Sequence, residues 1–293
     1  MYNLAKVAMS NKIHAQAKKI SSEVHSRQME GLRKHPDTIV DTETYKDVID
    51  YVSKNKDCSE LEQCNVYSTT NKAIDSLISL TRKEAKKIAE ENGDRNEFAG
   101  TLMSLQRNIC SLASAGAFFS IPTKEIFVIR DHHKRKYYYQ FDGKKQNKIA
   151  IPKRKSKKPE RFTETEWLMI HLKSVLAHEL FHMHMDIRCQ SYDELLHEEY
   201  AYSNMVGWCR ESGLTDTEII NGFLLSYGYQ QAINKNPALF VSKKWKEIEK
   251  KAQLEAIKMI ELFDNNNSSD KSSKKKKSVV SQSQENARWD LEF

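Results

Sequence analysis

The chain predicts an α+β fold that is mostly helical. Three observations lead there. Only 9 Gly and 5 Pro interrupt its 293 residues, of which 30% are charged and 39% hydrophobic, a balance that favours helix-rich soluble chains. Apolar residues recur at helical spacing through most of the length. One stretch, from residue 121 to about 152, instead gathers β-branched and aromatic residues into short runs.

Taken in order, Leu4, Val7, Ala8, Ile13, Ala17, Ile20 and Val24 predict one or two helices before His35-Pro36-Asp37, where proline ends the pattern. Tyr45, Val48, Ile49 and Val52 define a further helix face, and the polar residues 55–70 read as loop. Helices follow over 71–91 and 95–119, separated by Asn92-Gly93-Asp94, where glycine supplies a left-handed helix end. Residues 1–120 carry no chemical signature and are expected to be a helical N-terminal region for recognition or regulation.

From Ile121-Pro122 the character changes. Residues 125–130, 136–141 and 148–152 predict three short strands, with Asp142-Gly143 as a hairpin turn and Pro152 marking an edge or strand end. The expectation is a small antiparallel meander leading into a helix that starts at Thr163-Glu164-Thr165-Glu166 and runs to about Met185. A second helix is expected over 193–211, then helices over 216–232 and 243–263. Residues 264–293, dominated by Asn, Ser and Lys, read as a disordered polar and basic tail.

Charge is unevenly spread. Between Lys134 and Arg161 stand 12 Lys/Arg against Asp142 and Glu160, a local balance of +10 within a total of +7. The remainder is therefore slightly acidic. Tyr137, Tyr138 and Tyr139 lie among these bases, a mixture that can bind nucleic acid by phosphate contact and stacking. A lysine-rich strand edge also protects against aggregation. No apolar run is long enough to cross a bilayer. Met1-Tyr2-Asn3-Leu4-Ala5-Lys6 does not resemble the start of a secretory signal. The five scattered cysteines (Cys58, Cys64, Cys110, Cys189, Cys209) form no zinc-knuckle or redox spacing, so reduced thiols in a cytoplasmic protein are expected.

The chemistry lies in His178-Glu179-Leu180-Phe181-His182. Histidines four apart share one helix face and can grip one metal ion, and Glu179, one step round, can act on a water there. Imidazole nitrogen suits zinc, and a catalytic zinc takes three protein ligands and keeps one position open. A third ligand is therefore expected nearby. Glu198 and Glu199 lie 16 and 17 residues beyond His182, on a separate predicted helix. His171, about two helical turns or roughly 10 Å before His178, cannot share its metal. His184 points to another side of the helix, and His132 and His133 fall in a charged turn.

A short sheet, this HExxH helix and a second helix with Glu198-x-x-Ala201 together resemble the gluzincin metallopeptidases. Within them the pattern is most similar to the ImmA/IrrE-like peptidases and, less closely, to the Lit-type peptidases. The likeness covers about residues 121–215. It implies a zincin-like core within 121–263, Glu198 as third zinc ligand with Glu199 as runner-up, and Ala201 as the small residue where two helices approach. It further implies a zinc-dependent endopeptidase acting on a protein substrate, with Glu179 as general base and Tyr200, Tyr202, Tyr227 or His197 as oxyanion donor. Substrate would add as a strand at the sheet edge, here expected in the basic meander, favouring acidic segments. Two positions depart from the pattern: Tyr202 stands where related families carry Asp, and His184 where they keep an apolar residue. Two other readings compete with the endopeptidase: a nucleic-acid-binding or regulatory protein with a structural or vestigial metal site, and a metal-free helical interaction protein.

Overall fold

A computed structural model describes residues 23–92, 116–120, 123–134, 137–141, 146–150, 158–188, 194–236, 238–239, 242 and 244–277. It is mostly helical with a small mixed four-stranded sheet, as the composition predicts. In chain order the elements are α1 (23–33), β1 (Ile39–Val40), α2 (Lys46–Lys56), β2 (Asn65–Thr69), α3 (Asn71–Asn92), β3 (Ala117–Ser120), β4 (Glu125–Ile129), β5 (Tyr137–Phe141) and β6 (Gln146–Ala150). Then come α4 (Glu164–Arg188), α5 (Glu194–Glu211), α6 (Asp216–Ile219), a π-turn (Ile220–Leu224), α7 (Leu225–Lys235) and α8 (Trp245–Lys277). The chain forms two compact units, Met1–Ala201 and Tyr202–Phe293, and the division falls within α5.

In the first unit the sheet order is β1-β2-β4-β3. β4 pairs antiparallel with β3 and parallel with β2. All five β4 residues are buried, the signature of a strand covered on both faces. Phe127 and Ile129 pack with Met29 and Leu32 of α1 and Ala73, Ile74, Leu77 and Ile78 of α3. Tyr67, Phe127 and Phe118 stack across three strands, with successive ring centroids 5.0 and 5.1 Å apart. α4 packs along β3 and β4, and also against α2, where Lys173 Nζ donates to Asp47 Oδ2 at 2.6 Å.

The strands depart from the expected meander. β5 and β6 pair only with each other among the described residues, and β4 belongs to a different sheet. Ala117–Ser120, read as the end of a helix, is strand β3. Asn65–Thr69, read as loop, is strand β2, so the sheet takes strands from both sides of the expected 120/121 boundary. β2 escaped a pattern reading because, of its three buried residues, only Val66 is apolar. Ser68 and Thr69 are buried, and side-chain hydrogen bonds satisfy them: Ser68 Oγ donates to Asp41 and also meets Tyr45 Oη at 3.3 Å, and Thr69 Oγ1 meets Thr38 Oγ1 at 2.8 Å. The Asp142-Gly143 turn, Pro152, the 95–115 helix and the first 22 residues lie outside the described residues.

The helix starts agree better. At α4 Thr163 forms a capping box: the Glu166 N–H donates to Thr163 Oγ1 at 3.2 Å, and the Thr163 N–H donates to Glu166 Oε2 at 2.7 Å. Tyr45, Val48, Ile49 and Val52 are all buried, as their spacing predicts.

In the second unit a capping box on Thr215 and Glu218 starts α6. The expected single helix over 216–232 is divided by the π-turn. α7 then crosses α8, with Ala232, Ile248 and Ala252 at the core. α8 continues through 264–277, where the composition suggested a tail. Asp264, at the start of that stretch, accepts from Arg210 Nη1 at 2.6 Å. Gly228 marks the tightest approach: a Cβ added to it would stand 2.1 Å from the Ala252 carbonyl oxygen. Gly228→Ala is expected to push α7 and α8 apart and lower unfolding stability by about 1–3 kcal/mol, measured by urea denaturation.

Candidate metal centre

α4 presents His178 and His182 one turn apart because it is regular across the motif and wedged between the sheet and α2. Buried Leu176, Ala177, Leu180 and Phe181 hold its rotation. His178 Nε2 and His182 Nε2 stand 2.9 Å apart, their rings nearly perpendicular at 85°. α5 brings Glu198 to the same point. Its Oε2 lies 3.5 Å from His178 Nε2 and its Oε1 3.5 Å from His182 Nε2. These three side chains could hold a metal ion, and they form the one such group among the described residues. Ala201, fully buried, follows Glu198 by three residues on the same helix. Glu199, His171, His132, His133 and His184 stand outside the group.

Electrostatics in the site are strongly coupled. Burial resists ionisation of Glu198, but hydrogen bonds and charge from His178 and His182 prevail and hold its carboxyl well below the usual carboxylate range. Burial likewise works against a charge on His182, yet the Glu198 hydrogen bond and the Glu179 and Glu198 charges raise its pKa. Glu179 is shifted upward, chiefly by burial, with Glu198 adding repulsion. The two histidines and a hydrogen bond from the Phe119 main chain oppose that shift. A carboxyl with a raised pKa beside a cation-binding group is suited to taking and returning a proton.

The Phe119 contact was invisible in the sequence, because it is made by the main chain of a strand that reads as helix. β3 is the edge of the four-stranded sheet and lies along α4, so the edge beside the motif is Ala117-Phe118-Phe119-Ser120 rather than the basic segment. The β3–β4 turn is pinned to α4 by an ion pair between Lys124 Nζ and Asp186, one turn past His182. Lys124 holds a left-handed φ of 54° and sets its ammonium 5.7 Å from the Phe119 ring centroid.

The expected oxyanion donors separate. Tyr200 Oη lies 2.7 Å from His184 Nδ1. His197 is buried with its ring near-parallel to that of His182, centroids 6.0 Å apart. Tyr202 and Tyr227 face each other at 4.7 Å within the second unit.

Two histidines outside the ligand group are held neutral. Burial, reinforced by the His132 and His133 charges, takes His171 down to about 4. Burial, then the Lys56 and Arg188 charges, take His184 to about 4, with Glu60 opposing. Each folded pKa lies below the unfolded value of 6.5, so the unfolded chain binds more protons between the two. Stability is accordingly expected to fall as pH drops from about 6.5 to about 4, by roughly 3 kcal/mol from His171. Urea midpoints across this window should vary less in His171→Gln than in the wild type.

No protein-family model matches the chain, and no curated protein or solved structure matches it either.

Proposed function

We propose that the chain is a zinc-dependent endopeptidase of gluzincin type, acting on a protein substrate. The observation that carries this reading is the convergence of His178, His182 and Glu198 beside the carboxyl of Glu179. The donor set fits zinc. Ligand atoms on a tetrahedral shell of 2.0–2.1 Å radius stand about 3.3 Å apart; the two imidazole nitrogens stand 2.9 Å apart, and Glu198 sets a different carboxylate oxygen 3.5 Å from each of them. Two neutral imidazoles and one carboxylate are also a known catalytic zinc set.

Bound zinc supplies Lewis-acid polarisation of a carbonyl and makes water acidic enough to ionise near neutral pH. The chain's own residues do the rest. Glu179 takes the proton of the attacking water and returns one to the departing amine. Glu198, whose carboxyl is already held well below the usual carboxylate range, would offset the charge of the bound ion. The edge strand β3 offers main-chain groups beside Glu179 for a substrate added as a further strand. Among the described residues no helix is long and apolar enough to cross a membrane. Cys58, Cys64 and Cys209 are buried thiols outside any disulfide, which supports a reducing, cytoplasmic setting.

Zinc content by mass spectrometry, with cleavage of a peptide library, tests the proposal. Wild type and Glu179→Gln are each expected to carry about one zinc per chain, while cleavage falls by about 10²–10⁴ in the variant. Wild type free of transition metal after zinc-supplemented expression would overturn it. Glu198→Ala is expected to lose zinc and Glu199→Ala to keep it; the reverse outcome would transfer the ligand role to Glu199.

A further inference from the structure

Beside the metal centre stands a cluster that supplies no ligand. His184 lies two residues past His182, and Tyr200 two past Glu198, so each ligand-bearing helix also carries one member of a second pair. Tyr200 Oη and His184 Nδ1 are 2.7 Å apart, and the two rings stack with centroids 5.8 Å apart at 19°. Phe181 meets the Tyr200 ring edge-on at 6.1 Å.

α2 closes the cluster. Lys56, its last residue, sets Nζ 5.3 Å from the Tyr200 ring centroid and 5.6 Å from that of Phe181. Asp57 ends α2 in the left-handed conformation, and its carbonyl accepts from Arg188 Nη2, at the end of α4, at 3.1 Å. Three helices are thus joined close to the ligands by one directed hydrogen bond, two cation–π contacts and one helix-end bond.

Metal ligation tolerates errors of only about 0.2 Å in ligand distance. Glu198 reaches its partners from a separate helix, so the rotation of α5 about its axis decides whether both carboxylate oxygens face the histidines. Apolar packing alone lets neighbouring helices slide by small amounts, whereas a hydrogen bond between a ring hydroxyl and a ring nitrogen has a preferred length and direction. We propose that the Tyr200–His184 pair, backed by Lys56, is a positioning brace that sets α5 against α4 and thereby tunes transition-metal affinity. The inference rests on the metal-centre reading above and deepens it. Neither residue belongs to the group that could hold the ion.

The test is zinc affinity by chelator competition, with the visible spectrum of the cobalt(II)-loaded protein as a second readout. Tyr200→Phe keeps the ring, its stacking and the cation–π contact, and removes only the hydroxyl. It is expected to bind zinc about 10–100-fold more weakly, the range usual for groups that orient ligands, and to shift the cobalt bands. His184→Leu should match it. His184→Asn, whose side-chain amide can set either an acceptor or a donor roughly at the place of imidazole Nδ1, should return to within about threefold of wild type. Thermal unfolding of the metal-free proteins identifies any general loss of structure. A zinc-binding wild type with Tyr200→Phe within about twofold of it would overturn this inference alone, since the orienting effect requires at least about tenfold. A wild type that binds no zinc would overturn both this inference and the metal-centre reading.

Discussion

The two-sided burial of β4 is the constraint on which the first unit depends. Its five residues have no exposed face, so helices must cover the strand on both sides. α1 and α3 take the side of Phe127 and Ile129, while α4 packs along β3 and β4. Full burial of one such apolar side chain contributes about 1.5–3 kcal/mol, more than any exposed ion pair in the molecule can offer. Burial of β4 therefore sets where α4 lies, and the ion pairs of Lys173 and Lys124 refine its rotation and register. The candidate metal centre is a consequence of that placement.

The site is built against the grain of folding. Two imidazoles and a carboxylate are brought within 4.8 Å of one another, with a second carboxylate beside them. Desolvation penalises every charged form in such a cluster. Mutual attraction between histidines and Glu198 offsets that penalty, and it keeps the ligand carboxylate ionised. Glu179, where burial outweighs the pull of the same histidines and the Phe119 main-chain hydrogen bond, is left with a raised pKa. Two carboxyl groups in one pocket are thus driven to opposite behaviour by their surroundings, the condition under which one can ligate while the other exchanges protons.

Legibility followed the periodicity of each element. The helix with the HExxH motif, its Thr163 cap, the buried face of α2 and the helix carrying Glu198 were readable because local spacing or cap chemistry encodes them. The pairing of β4 was not. Its apolar run announces a strand, yet nothing local says that its neighbours are β3 and the polar β2 rather than the aromatic run that follows. β2 hides its burial behind Ser68 and Thr69, whose hydroxyls find partners only after the chain has folded. Arg210 and Asp264 are 54 residues apart, and their ion pair, at the start of the stretch where composition alone suggested a tail, is likewise made only in the folded chain.

The sequence by itself determined the candidate residues: two histidines at helical spacing, the glutamate between them, and two acidic choices on a later helix. Helix geometry is local, so residue types four apart are enough to specify a shared face. Only the tertiary structure decided which carboxylate faces the pair, which strand forms the edge beside Glu179, and that Tyr200 bonds His184. Each of these depends on the rotation of one helix against another element. That rotation is set by the summed packing of residues distant in sequence, which no local pattern records.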